Sequence, residues 1–151
     1  MRLSVISPRM NVGRLVIRAA VEVAPETPIS EAADTMRVQN VSSMLVGGPD
    51  AIVTERDFTQ AWSDGRRGDD PVMSIATRHP LTVDAGTAIT EAAGKMLNRN
   101  VRHLVVLDAG ACLGVVSLRT VLAVLLQAAE PGLWLTELRV SLSQTPEFWL
   151  G

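Results

Sequence analysis

Apolar residues recur at helical spacing in two places along the chain. Ile29, Ala32, Ala33 and Met36 stand at i, i+3, i+4 and i+7, and Ile89, Ala92, Ala93 and Met96 repeat that stripe sixty positions later. Each stripe predicts a helix with one face on a core. Thr27 and Thr87 stand where an N-cap is wanted, with Pro28 at the favoured first helical position of the first copy. Asn40 and Asn100 are residues that tolerate the left-handed conformation at which helices stop.

The rest of each copy follows the same order. Short apolar runs, 21–23 and 81–83, precede the helices, and β-rich runs, 41–46 and 101–107, follow them. Turn residues come next, Gly47-Gly48-Pro49-Asp50 or Asp108-Ala109-Gly110-Ala111, and then a second strand. That strand ends in a polar group, Thr54-Glu55-Arg56-Asp57 or Ser117-Leu118-Arg119-Thr120, which opens a further helix over 55–62 or 118–129. Thr54 reads as its N-cap and Asp57 as the acid three residues on. Each copy is therefore β-α-β-β-α.

The duplication shows in the residues themselves. Positions 23–46 laid over 83–106 are identical at ten of twenty-four places, including Thr27/Thr87, Glu31/Glu91, Asn40/Asn100 and Val41/Val101. Beyond Val46 the register slips by three, because the second copy has the longer turn. The division is a first repeat at 8–63, a linker at 64–72 rich in Asp, Arg and Gly, a second repeat at 73–129 and a tail at 130–151. The mixed charges of the linker read as a solvated loop. Trp134, Phe148 and Trp149 in the tail read as packing or dimer contacts.

A chain of 151 residues lies in the commonest size range for one domain and can bury roughly two thirds of its unfolded surface. With 47% hydrophobic residues, 3% aromatic and no Tyr, its core must be built from Val, Leu, Ile, Ala and Met. A formal charge of -2 gives no electrostatic footprint for nucleic acid, and few aromatics are available to stack on bases. The lone cysteine, Cys112, excludes an intramolecular disulfide framework and sits in an apolar run that suits an inert core thiol. Arg2, Arg9, Arg14 and Arg18 interrupt the start of the chain, which thus lacks the continuous apolar stretch of a signal peptide. The apolar run from Val121 is far short of the ~20 residues that cross a bilayer. A cytoplasmic protein without membrane contact is expected.

Little points to catalysis. His79 and His103 are the only histidines, the first in a loop and the second at a strand start, and no Ser-His-Asp order, His-Glu-x-x-His helix or Gly-rich phosphate loop accompanies them. No enzyme, no metal and no cofactor is expected.

Two sixty-residue β-α-β-β-α repeats, strand ends reading AIVTERD and GVVSLRT, and the segment DPVMSIATRHPLTV between them resemble a tandem pair of CBS domains, the cystathionine-β-synthase repeat that forms a Bateman module. The resemblance covers about 8–129. It implies an α/β (α+β) fold with the repeats packed about a pseudo-twofold axis, leaving two clefts that take AMP, ADP, ATP or S-adenosylmethionine as a regulatory ligand. By that resemblance the first cleft uses Ile52 against adenine, Thr54 and Arg56 near phosphate and Asp57 on the ribose hydroxyls, with Thr77, Pro80, Leu81, Val101 and Arg102 completing it. The mirror cleft uses Val115, Ser117 and Arg119 with Val41 and Ser42, and it departs from the family pattern because Thr120 stands where the acid belongs.

The resemblance also implies a homodimer formed through helices, for which Val121, Leu122, Val124 and Leu125 supply apolar surface, and an effector protein that responds to the ligand. The rival expectation is a module that only dimerises or docks on a partner, with the polar motif serving as a helix cap.

Overall fold

The computed structural model describes residues 10–16 and 18–129. The described chain forms two units that are not consecutive stretches of sequence: 20–80 make one, while 81–129 together with residues before Ala20 make the other.

In the first unit, β1 (Glu22–Val23), α1 (Ile29–Gln39), β2 (Ser43–Val46), β3 (Ala51–Thr54) and α2 (Glu55–Ser63) follow one another, and β4 (Thr77–Arg78) closes the sheet. Its strand order is β1-β2-β3-β4, with β1 parallel to β2 and the later pairs antiparallel. The second unit repeats the plan with β5 (Thr82–Asp84), α3 (Ile89–Arg99), β6 (His103–Asp108), β7 (Ala111–Ser117) and α4 (Leu118–Ala129). Its sheet runs β5-β6-β7. The β-α-β-β-α order expected of each copy is present.

The helical stripes do what their spacing requires. Ala32 and Met36 of α1 pack with Met44, Val46, Ala51 and Val53 of the sheet, and Ile89, Ala92 and Met96 of α3 pack with Leu104, Val106, Val116 and Val121. Both helices stop at asparagines in the left-handed region, Asn40 at φ 53 and Asn100 at φ 51, so that the next amide, of Val41 or Val101, bonds back to the carbonyl of Met36 or Met96.

Each core is completed by the segment written before the other repeat. Val72, in a 3-10 turn at Val72–Ser74, is fully buried in the first unit, and Val12, in a 3-10 helix at Val12–Leu15, is fully buried in the second. The anchoring bonds match one for one. Val72 N–H donates to the Thr27 carbonyl at 2.8 Å and Ile29 N–H to the Asp70 carbonyl at 2.9 Å; Val12 N–H donates to Thr87 at 2.8 Å and Ile89 N–H to Met10 at 3.0 Å.

Those bonds correct the expected caps. Thr27 and Thr87 are not N-caps; they lend backbone carbonyls to the incoming segment. The N-cap positions are Pro28 and Ala88, neither with a side-chain bond, and Pro28 therefore precedes the first helical residue. The first helix amides find acceptors in the docked segments, so no capping side chain is needed. The 64–72 stretch is likewise tied down at its middle, since both the amide and the hydroxyl of Ser30 donate to the Gly68 carbonyl at 3.0 Å.

Cys112 is a second correction. It is exposed, because the β6–β7 hairpin extends past the core and Ala111, Cys112 and Leu113 lie on that extension. Of the helix residues expected to offer apolar surface, Val121 is in the core, Val124 and Leu125 pack against it, and Leu122 stands half exposed. The expectations for the tail at 130–151 lie outside the described residues, among which no helix is long and apolar enough to cross a membrane.

Candidate functional site

Strand alternation decides which way each residue of the AIVTERD stretch faces. Ala51 and Val53 enter the core beside α1, so Ile52 and Thr54 face the opposite side of the sheet together with Ser43 and Leu45. Ile52 is buried on that side, opposite Leu45 on one neighbouring strand and Thr77 on the other. Thr77 is exposed on β4, and Pro80 is half-buried just beyond it.

At Thr54 the backbone is still extended (φ -127, ψ 165), and α2 begins at the next residue. The amide of Thr54 donates to Asp57 Oδ2 at 2.7 Å, and its hydroxyl donates to the same oxygen at 2.7 Å. The Asp57 amide in turn donates to the Thr54 side chain, which with the Thr54 amide bond makes the capping box expected from Thr54 and Asp57, and the hydroxyl–carboxylate bond is added to it. The first amide of α2, that of Glu55, bonds to the Ser42 carbonyl at 3.2 Å. Val41 and Ser42 thus sit at the head of α2 in their own unit. Arg56 is exposed, and neither it nor Asp57 Oδ1 takes part in any other hydrogen bond or ion pair among the described residues.

The second unit builds the same corner with different chemistry. Leu118 N–H donates to the Arg102 carbonyl at 2.7 Å, the counterpart of the Glu55–Ser42 bond. Ser117 Oγ accepts the Thr120 amide at 3.2 Å, and the two hydroxyls share a further bond at 3.1 Å. A neutral hydroxyl pair replaces the hydroxyl and carboxylate of the first unit. Val115 lies on the same face as Ser117, and Arg119 is exposed. Leu81, Val101 and Arg102, expected with the first set, belong to this second unit: the Leu81 carbonyl accepts the Val105 amide, and Val101 and Arg102 lead into β6.

His103 opens β6 directly opposite Ser117. Burial, assisted by the positive charge of Arg102, pushes its pKa down to about 4. It is a neutral imidazole at physiological pH and adds no cation to this corner. His79 is exposed and left-handed (φ 53), held by its amide bond to the Asp50 carbonyl at 2.8 Å. The two-residue strand β4 that carries Thr77 is too short for any period-2 pattern to announce it.

The family model for the CBS domain matches residues 12–64 and again 72–127. The chain belongs to the CBS domain family. A CBS domain protein, PAE2072 from Pyrobaculum aerophilum, solved in complex with AMP, superposes with a TM-score of 0.69 at 31% identity, covering 79% of this chain and 98% of that one. The CBS domain pair of protein MJ0100, in complex with 5′-methylthioadenosine and S-adenosyl-L-methionine, shares the fold with a TM-score of 0.68 at 18% identity, covering 76% of this chain and 94% of that one.

By sequence, the chain is 36% identical over 109 residues to an uncharacterised 17.7 kDa protein of Acidianus ambivalens, covering 69% of this chain. It is 27% identical over 122 residues to protein MK0525 of Methanopyrus kandleri, covering 76% of this chain. The matches span 66% and 62% of those relatives' own lengths, under two thirds of each.

Proposed function

We propose that this CBS pair is a regulatory module that binds an adenine nucleotide, and that the Thr54–Asp57 corner of the first repeat grips its ribose. The observation that carries the reading is the second oxygen of Asp57. A carboxylate held rigidly by Thr54 through Oδ2, with Oδ1 left over, is an acceptor fit for a ribose hydroxyl. Arg56, exposed beside it, supplies a guanidinium for phosphate. The AMP complex of the 31% identical Pyrobaculum protein supports the ligand class.

Binding is read as regulatory rather than catalytic, with the bound state passed on through a change in conformation or self-association to an effector protein. Thermal melting with AMP, ADP, ATP and S-adenosylmethionine tests the ligand class. A ligand at a hundred times its dissociation constant adds ~2.7 kcal/mol of stability, which raises the melting point by several degrees for a domain of this size. No shift with any of the four would refute nucleotide binding.

One observation favours a second reading, self-association without a ligand. Leu97 of α3 is 67% exposed and Leu122 of α4 is 52% exposed, with Leu126 a turn further on. The matching positions of the first repeat are Arg37, Thr59 and Ser63. The fold therefore does not require leucines there, and a homodimer through the second repeat's helices would cover them.

A further inference from the structure

The second repeat carries a piece of strand that the first does not. The stretch matching β3 is 114–117, yet β7 begins three residues earlier, at Ala111. Ala111 and Cys112 pair with Asp108 and Leu107 of β6, and Ala111, Cys112 and Leu113 are all exposed. β7 is also the last strand of its sheet. In the first unit β4 covers the outer side of β3 at Ala51 and Ile52; among the described residues no strand does the same for β7. From Ala111 to Ser117 the strand holds no charged residue and no proline, two of the devices that keep an edge from pairing with another chain.

We propose that residues 138–142 of this chain cover that edge as an added strand. Leu138, Val140 and Leu142 alternate with Arg139, Ser141 and Ser143, which is the period of a strand with one apolar and one polar face. Strand addition draws its affinity from main-chain bonds and its fit from alternate side chains, and this segment supplies both.

The chain can reach the edge. α4 leaves Ser117 and packs back over the core through Val121, Val124 and Leu125. Its twelve residues rise ~18 Å, while the seven of β7 run ~23 Å. Ala129 therefore lies toward the start of β7, where the exposed residues stand. The nine steps from Ala129 to Leu138 span up to ~30 Å when extended, enough to pass from the helix layer to the sheet edge. A tether that short presents the segment at about millimolar effective concentration, which favours the chain's own tail over a second copy.

The single cysteine stands on β7 itself and is exposed, so it can report the pairing. Arg139→Cys, Val140→Cys, Ser141→Cys and Leu142→Cys, each in the full chain, are oxidised mildly and the disulfide with Cys112 is followed over time. Residues paired across two strands share a face, and a disulfide needs the two Cβ atoms close together. The expected result is an intramolecular disulfide that forms about tenfold faster at positions of one parity, 139 and 141 or 140 and 142, than at the other. Rates equal within about threefold at all four positions, as a tether without register gives, would overturn the proposal, as would no disulfide at any of them. Disulfides found only between chains would give the edge to a second copy and overturn it as well.

Discussion

Thr54 gives both its amide proton and its hydroxyl proton to one oxygen of Asp57, each at 2.7 Å. The pair closes the first turn of α2 and leaves the other carboxylate oxygen out of the cap, so the proposed ribose contact would use an oxygen that capping does not need. Removing the carboxylate in Asp57→Ala strands a part-buried hydroxyl and amide. The expected cost is ~1 to 2 kcal/mol in urea unfolding, a folded protein with a lowered midpoint. A loss beyond that would mean that Asp57 supports the core and not only the cap.

The exchanged segments yield a localised prediction. Val12 and Val72 are each fully buried, and each lies in the core of the repeat other than the one it precedes in sequence. Val12→Ala should cost ~1 to 3 kcal/mol and speed native-state hydrogen exchange in residues 81–129 while sparing 20–80. Val72→Ala should do the reverse. Exchange that rises in residues 20–80 for Val12→Ala would contradict the division into units.

Acid should weaken the fold through His103. Its imidazole titrates at about 4 in the folded protein against ~6.5 in an unfolded chain. Above pH ~6.5 both states hold it neutral and its contribution is complete. As the pH falls toward 4 the unfolded state takes the proton first, and stability declines by at most ~3 kcal/mol. Replacing it, as in His103→Gln, should flatten that part of the stability profile relative to the parent. Parallel profiles for the two proteins would remove His103 as the cause.

Self-association through the second repeat has its own test. Leu122→Glu places a charge on the exposed face of α4 without touching the core, in which Val121 is the buried neighbour. Light scattering should report twice the chain mass for the parent and the chain mass for the variant. A parent that scatters as a monomer at micromolar concentration ends the dimer reading.

What could be read from the sequence was what local chemistry controls. The stripe Ile89, Ala92, Met96 and the stop at Asn100 are set within a few residues, and α4 begins where its pattern predicts. Thr54 and Asp57 are three residues apart, so their bond was foreseeable. Thr27 was misread because its real partner, the Val72 amide, lies forty-five residues away, and a hydroxyl residue before a helix looks like a cap until that partner is known. Cys112 was misread for a related reason. An apolar run says that a strand is present, while how far the hairpin reaches past its core depends on the helices beneath.

The most direct test of the account is calorimetric titration of AMP into the parent protein, Asp57→Ala and Thr120→Ala under one set of conditions. The account predicts a roughly tenfold or greater loss of affinity for Asp57→Ala, with Thr120→Ala indistinguishable from the parent. Asp57→Ala binding AMP as the parent does, or Thr120→Ala abolishing the heat, would show that the ligand is not held at the head of α2.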